Sequence, residues 1–149
     1  MKIKDALYAT CIEFVRQRIS HLENEIKNAQ SSANEETKSS AGDKYETGRA
    51  MAQREVDMLG HQLKEAEKLH LKLKGLTNVR TEGKVIPGSL VNTTSGDFYI
   101  AISMGLVTRD QMEYFIVSSD SPIGRELLGK RKGDSFVWNS RSGTILSIE

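Results

Sequence analysis

Two acidic residues, Asp43 and Glu46, stand three positions apart in a polar stretch between two long segments with helical periodicity. Carboxylate oxygens are the ligands that Mg²⁺ prefers, and one or two of them can complete a coordination shell that other groups supply. At the start of a helix, a spacing of three places both residues on one face. The pair is therefore a candidate metal-binding tip, but two exposed carboxylates alone would hold Mg²⁺ only weakly.

The same residues also have a purely structural interpretation. Ser40 and Asp43 have the spacing of a capping box, with Ser40 as the N-cap and Asp43 at the third helical position. Glu46 is then one more acid near the helix N-terminus, where the helix macrodipole favours negative charge. The residues by themselves leave both interpretations open.

Two helices must position this pair. Apolar residues recur at alternating spacings of four and three on both sides of the polar stretch, which is typical of helices that pack along an apolar seam. They are Ile12, Val15, Ile19, Leu22, Ile26 and Ala29, and then Ala52, Val56, Leu59, Leu63, Ala66, His70 and Leu73. Because residues 31–40 include no apolar residue larger than alanine, we predict that the chain turns back there. Residues 1–75 should thus form an antiparallel α-helical coiled coil with an acidic tip near 31–50.

The composition changes near residue 76, where we predict a linker over 76–83. From residue 84 onward short apolar runs alternate with turn residues, which indicates strands. We predict these strands at 84–92, 98–102, 113–117, 134–138 and 144–148. Pro87-Gly88 should interrupt the first of them or place it at an edge, and residues 141–143 should form the last hairpin turn.

One short helix is predicted among these strands. Ser121 is a favourable N-cap, Pro122 suits the first helical position, and Gly129 suits the residue just after the helix. The order of strands, helix and strands predicts a small α+β domain with an antiparallel sheet over 84–149.

The charge balance bears on the partners and the compartment. The chain has 21 Lys and Arg against 20 Asp and Glu, and the one clear basic cluster is 130–132, which argues against a basic nucleic-acid-binding module. A lone Cys11 cannot form an intramolecular disulfide, which fits a reducing compartment. The first residues form neither a signal peptide nor a membrane span. We expect a cytoplasmic protein without membrane contact, which meets any nucleic acid through a protein partner.

The residues around the predicted helix resemble a known family. Residues 121–130 read Ser-Pro-Ile-Gly-Arg-Glu-Leu-Leu-Gly-Lys, Gly133-Asp134 follows, and the last five residues are Ile-Leu-Ser-Ile-Glu. In order and spacing this is similar to the C-terminal domain of the GreA/GreB transcription elongation factors, which is FKBP-like. The coiled coil before it extends the resemblance over nearly the whole chain.

The resemblance implies a function. Such a factor binds bacterial RNA polymerase, inserts its coiled coil into the secondary channel, and stimulates the polymerase's own cleavage of backtracked transcripts. Asp43 and Glu46 would be the catalytic tip carboxylates, sharing a Mg²⁺ ion with the polymerase in the complex. The factor would be no enzyme, would hold no cofactor when free, and would meet nascent RNA and DNA only indirectly. The resemblance assigns polymerase docking to Asp120, Ser121, Pro122 and Ile123.

The tip departs from the family pattern after its first acids. The family reads Gly-Asp-Leu-Ser-Glu-Asn-Ala-Glu-Tyr, whereas residues 42–50 read Gly-Asp-Lys-Tyr-Glu-Thr-Gly-Arg-Ala. Arg49 stands in place of an acid and Ala50 in place of the aromatic residue, while Gly48 disfavours the helix by about 1 kcal/mol relative to alanine. A second hypothesis follows: a Gre-like secondary-channel binder that inhibits or modulates transcription without stimulating cleavage.

Overall fold

The computed structural model describes the backbone of residues 2–39 and 43–149, and their side chains except at 33, 35–39 and 43–46. The chain forms two compact units. The helical unit is Glu13–Leu71, and the sheet unit is Met1–Ile12 together with Lys72–Glu149. This division differs from a cut at 76–83, because Leu7, Cys11 and Leu73, from the outer ends of the helical pair, are buried members of the sheet unit.

The helical unit is built from most of α1 (Ile3–Ser39) and α2 (Asp43–Lys74). Its core has seven-residue spacing on each helix, and partly buried apolar residues fill the intervening positions. The core residues are Leu22, Ala29, Leu59 and Ala66, flanked by Ile19, Ile26, Val56 and Leu63. Since residues 40–42 alone separate two helices that share this core, the helices are antiparallel. The predicted coiled coil is confirmed.

Helix α1 continues well into the stretch predicted as the turn. It ends at Ser39, whereas its apolar seam ends at Ala29. Residues 30–39 contain neither glycine nor proline and include several good helix formers, so the backbone can stay helical without an apolar face to bury. Most of the predicted tip region, 31–50, is therefore helical, as the end of α1 and the start of α2.

The sheet unit contains six strands and a short helix. The strands lie in the spatial order β3-β4-β2-β1-β6-β5. In chain order they are β1 (Leu90–Thr93), β2 (Gly96–Ala101), β3 (Gly105–Arg109), β4 (Met112–Ser118), β5 (Ser135–Trp138) and β6 (Arg141–Ile148), with α3 (Pro122–Leu127) between β4 and β5. The α+β class is confirmed.

The sequence predicts an antiparallel sheet, but one pair of neighbouring strands is parallel. Strands β2 and β4 are parallel, with Phe98 opposite Phe115, while the other neighbouring strands are antiparallel. The reason is β3, which the sequence pattern does not predict. The chain leaves β2, forms β3 at the edge, and returns as β4 between β3 and β2, in the direction of β2.

Two hairpin turns escape prediction because neither contains glycine. Asp110 and Gln111 have φ of 50° and 66° and join β3 to β4, and Asn139 and Ser140 have φ of 51° and 63° and join β5 to β6. Two residues at positive φ are typical of the type I′ turn, whose common signal is Asn-Gly. The turn predicted at 141–143 is wrong, because these residues already belong to β6.

Gly143 has a packing role instead of a turn role. It pairs with Phe136 across β5 and β6, and a Cβ at Gly143 would lie 2.5 Å from the Phe136 ring. The first predicted strand, 84–92, is interrupted at Pro87-Gly88 as expected, but its strand portion, β1, lies inside the sheet between β2 and β6.

Helix α3 packs on one face of the sheet. Buried apolar side chains from α3, from four strands and from Val85 form this core, and Phe98 is at its centre, with ring centroids 5.4 Å from Phe115 and 5.1 Å from Trp138. Burying each large apolar side chain contributes about 1.5–3 kcal/mol. Across the portions of the chain that are described, none of the helices combines the length and the apolar character that a bilayer crossing requires.

Candidate functional site

The first candidate site is the acidic pair at the start of α2. Asp43 is the first residue of this helix and Glu46 follows three positions later, so the backbone places them on one face. Their side chains lie outside the described part of the structure, as does all of Ser40. Metal binding by the pair and capping by Ser40 and Asp43 both remain predictions.

The neighbourhood of the pair differs in charge from an all-acidic tip. Arg49 lies three positions after Glu46 on α2 and is exposed. Three residues at successive spacings of three follow one side of a helix, so a cation shares the general face of the two acids. Among the residues with described side chains, no cluster of three or more His, Cys, Asp or Glu could hold a metal ion.

The second candidate site is the turn into α3, where the predicted N-cap is confirmed. The Ser121 hydroxyl accepts a hydrogen bond from the Gly124 N–H at 3.0 Å and donates one to the Ser118 carbonyl at 2.7 Å. Pro122 follows at the first helical position, and Gly129, at a φ of 84°, follows the helix. These local bonds fix the direction in which the chain leaves β4 and enters α3.

Gly124 is required by close packing at this turn. A Cβ at Gly124 would lie 2.1 Å from the Ser118 carbonyl oxygen and 3.0 Å from the Ser121 hydroxyl oxygen. The absence of a side chain lets the first turn of α3 rest directly on the end of β4. The turn is therefore a rigid element that presents Asp120 and Pro122, both exposed, at the surface.

Ile123, one of the four residues that the resemblance assigns to docking, is mostly buried. Its side chain is only 6% exposed and belongs to the core between α3 and the sheet. Leu127, four residues later, is also buried, so the spacing of these two residues already marks the inward face of the helix. Docking by Asp120, Ser121, Pro122 and Ile123 stays a prediction, and burial leaves Ile123 little contact area of its own.

A groove lies beside this turn and extends the candidate surface. It encloses about 460 Å³ and is lined by Pro122, Ile123, Glu126, Val137, Trp138 and Asn139. Val137 is 57% exposed at the sheet edge, and its N–H donates to the Glu126 carboxylate at 3.2 Å. Successive side chains of a strand point to opposite faces, so Val137 points away from the core that Phe136 and Trp138 contact. This alternation is present in the sequence and could have identified Val137 as a surface residue.

Cys11 is not part of either site. Its side chain is fully buried, and burial raises the pKa of the thiol to about 12. A thiol that stays protonated is a poor nucleophile and a poor metal ligand. Its role is packing.

Comparison with known proteins identifies the C-terminal region. Residues 80–149 match the family model described as "Transcription elongation factor, GreA/GreB, C-term". The matched range contains every strand of the sheet, helix α3 and the groove beside it. A comparison with curated proteins gives no match. The resemblance noted in residues 121–134 is thereby confirmed for this whole region.

Proposed function

Because this chain belongs, through its C-terminal domain, to the GreA/GreB family of transcription elongation factors, we propose that it binds bacterial RNA polymerase and stimulates the polymerase's own cleavage of backtracked transcripts. The helical unit would enter the secondary channel, and the protein would catalyse no reaction alone. The observation that carries the proposal is that this C-terminal domain follows a helical pair whose second helix begins at Asp43.

The surface around the start of α3 would bind the polymerase. Asp120 and Pro122 are exposed on a turn that hydrogen bonds and close packing hold rigid, and Val137 adds an exposed apolar side chain beside them. A rigid surface loses little conformational entropy on binding, and an apolar patch with a polar margin is typical of a protein contact. The partner should therefore bring an apolar side chain to the groove.

The docking proposal is tested by changing Pro122 and Val137, which are exposed, and by leaving Ile123 intact. We expect Val137→Asp combined with Pro122→Ala to weaken binding to RNA polymerase at least tenfold, because an acid replaces apolar contact area. Leu106→Asp is the matched control, since Leu106 is 53% exposed on β3, at the opposite edge of the sheet. Equal binding by both variants would place the docking surface elsewhere.

The tip supplies the chemistry in this proposal. Two carboxylates at the start of α2 match the oxygen donors that Mg²⁺ takes, and a pair leaves most coordination positions to the polymerase. The ion, when bound in the complex, would stabilise charge on the oxygens that attack and leave at the phosphate. Asp43 and Glu46 would hold and orient it. The two-residue donor set thus fits a shared metal better than a resident one.

Transcript shortening in stalled, backtracked elongation complexes tests the tip. We expect Asp43→Asn and Glu46→Gln each to abolish stimulated cleavage while polymerase binding stays within twofold of the wild type. Glu55→Gln, an exposed acid on the same helix, is the control and should cleave normally. Normal cleavage by the Asp43 and Glu46 variants would favour the capping interpretation of these residues.

A second candidate function is supported by Arg49. A cation on the same side of α2 as the two acids lowers the affinity for a divalent cation by electrostatic repulsion. The protein would then occupy the channel and inhibit or modulate transcription without cleavage. Binding without transcript shortening by the wild type, together with shortening by Arg49→Glu, would favour this function over the first.

A further inference from the structure

A patch of positive charge lies where the segment before β1 meets the segment after α3. Lys84 and Arg131 face each other in an isolated antiparallel bridge, and beside it the Val85 N–H donates to the Lys130 carbonyl at 2.9 Å. This short pairing brings together cations that are far apart in the chain. The basic patch comprises Lys84, Lys130, Arg131 and Lys132, of which Lys130 is half-buried and the others are exposed.

Two glycines leave room for the long side chains of the patch. A Cβ at Gly129 would lie 3.6 Å from the Lys84 Cε, and a Cβ at Gly83 would lie 3.5 Å from a terminal guanidinium nitrogen of Arg131. Each side chain thus extends across the opposite segment. The apolar stems of Lys and Arg can pack on such a surface while the charged ends stay in water.

A tight turn holds the end of the patch in place. The Asp134 N–H donates to the Arg131 carbonyl at 3.0 Å, and the Asp134 carboxylate accepts from the Arg131 N–H at 2.8 Å. Gly133, at a φ of 90°, occupies the third position of this turn, as is typical of type II. The Asp134 carboxylate is therefore engaged by the backbone, and Lys132 is exposed at the tip of the turn.

The basic patch has no counter-charge in the part of the chain that the structure describes. No described carboxylate lies within ion-pair distance of any of its four cations. Like charges that face each other across paired strands are destabilising, and exposed charges repel over a Debye length of about 10 Å at 0.1 M salt. The net charge of the chain is only +1, so this is a local concentration of charge. A negatively charged partner would relieve the repulsion.

Leu146 indicates a protein partner in preference to a nucleic acid. The Gly133 N–H donates to the Ile145 carbonyl at 2.8 Å, so Leu146, which is 46% exposed, follows directly beside the turn. An apolar side chain adds contact with an apolar residue of a protein but none with a phosphate. The patch and its turn contain no aromatic residue on which bases would stack. Four cations are also fewer than the roughly six to ten phosphate contacts of strongly salt-dependent DNA binders.

We propose that the basic patch binds an acidic segment of a partner protein, in which Asp or Glu residues flank an apolar residue. The carboxylates pair with Lys84, Arg131 and Lys132, and the apolar residue contacts Leu146. The patch shares no residue with the groove beside α3. The contact therefore goes beyond the proposed function and does not rest on it.

Titration of the full-length free protein, followed by the NMR shifts of its backbone amides, tests the patch without a polymerase. The probe is a short peptide in which two leucines are flanked on each side by two glutamates. We expect a Kd of about 1 mM or tighter at low salt, and binding about tenfold weaker when glutamines replace the glutamates. The largest shifts should include the amides of Gly129 and Gly133.

Three outcomes of this titration would overturn the proposal. One is the absence of saturable binding, and another is equal binding of the glutamine peptide. The third is tighter binding of a single-stranded oligothymidylate with the same number of charges, since the patch would then favour phosphates over an acidic protein segment.

Variants locate the contact. Arg131→Gln combined with Lys132→Gln should weaken binding of the acidic peptide about fivefold, because two exposed charge pairs are lost. Arg54→Gln combined with Lys64→Gln is the matched control: both residues are exposed on α2, the net charge changes equally, and affinity should stay within twofold of the wild type. Equal losses in the two pairs would show that net charge alone governs binding and would overturn the proposal.

The apolar half of the contact has its own test. Leu146→Ser should weaken binding of the leucine-containing peptide about threefold and leave unchanged the binding of a peptide with glycines in place of the leucines. Unchanged Trp138 fluorescence shows that the variant is folded. Equal binding of the leucine-containing peptide by this folded variant and the wild type would remove the apolar contact and, with it, the argument for a protein partner.

Discussion

Replacing Gly124 by alanine should destabilise the sheet unit strongly for so small a change. The new Cβ would lie 2.1 Å from the Ser118 carbonyl oxygen, whereas carbon and carbonyl oxygen rest at about 3.3 Å or more. Helix α3 or the end of β4 must therefore move by about 1 Å. Both neighbours are backbone or hydrogen-bonded groups, so no flexible side chain can absorb the shift.

The size of the effect follows from what that movement breaks. Loss of the Ser121 cap costs about 1 kcal/mol, and repacking Ile123 and Leu127 against the sheet costs about 1–3 kcal/mol. The better helix propensity of alanine returns up to about 1 kcal/mol. We expect a net loss of about 2 kcal/mol, which for a unit of this size lowers Tm by about 8–16 °C.

Trp138 provides the assay. It is the one tryptophan of the chain, and its ring centroid lies 5.1 Å from that of Phe98, so its fluorescence reports unfolding of the sheet unit. Gly60→Ala is the matched control: no atom lies within 4 Å of a Cβ there, inside α2. Circular dichroism should show that this variant stabilises the helical unit by up to about 1 kcal/mol.

The two substitutions are chemically identical, yet their effects on stability should be opposite: Gly124→Ala should destabilise and Gly60→Ala should stabilise. An unchanged Trp138 unfolding midpoint in Gly124→Ala would mean that α3 is not held against Ser118 as the structure has it. The rigid docking turn would then lose its physical basis. A loss of stability in Gly60→Ala would instead show that helix propensity does not govern this half-buried position of α2.

Three further predictions concern the cap, the thiol and the length of the helical pair. Ser121→Ala should cost about 1 kcal/mol in chemical denaturation, and Ser119→Ala, which removes no cap, should cost little. Since burial raises the pKa of Cys11 from about 9 to about 12, stability should be full below pH 9 and decline as the pH rises towards 12; a melting temperature that does not change between pH 8 and pH 10.5 would contradict this. Deleting residues 19–25 and 56–62 keeps the seam in register and draws the tip back by about 10 Å, so stimulated cleavage should vanish while polymerase binding persists; cleavage by this folded variant would rule out a tip that must reach a fixed metal.

The sequence by itself determines the elements whose signals are local or repeated many times. The seven-residue recurrence of Leu22 and Ala29, and of Leu59 and Ala66, specifies two helices and the faces on which they meet. The cap at Ser121 is likewise predictable from the sequence, because its hydrogen bonds join residues only three positions apart. In both cases the pattern lies within one segment of the chain, so residue spacing alone is enough to predict the helix or the cap.

Tertiary structure decides what depends on partners far apart in the chain. Strand β3 exists because β4 pairs with it, across a turn without glycine, and its presence makes β2 and β4 parallel. Ile123, which the resemblance assigns to docking, is mostly buried because a six-residue helix packs its few apolar side chains on the sheet. Burial and cavities are properties of surfaces brought together by folding, and residue spacing along the chain does not encode which distant surfaces meet.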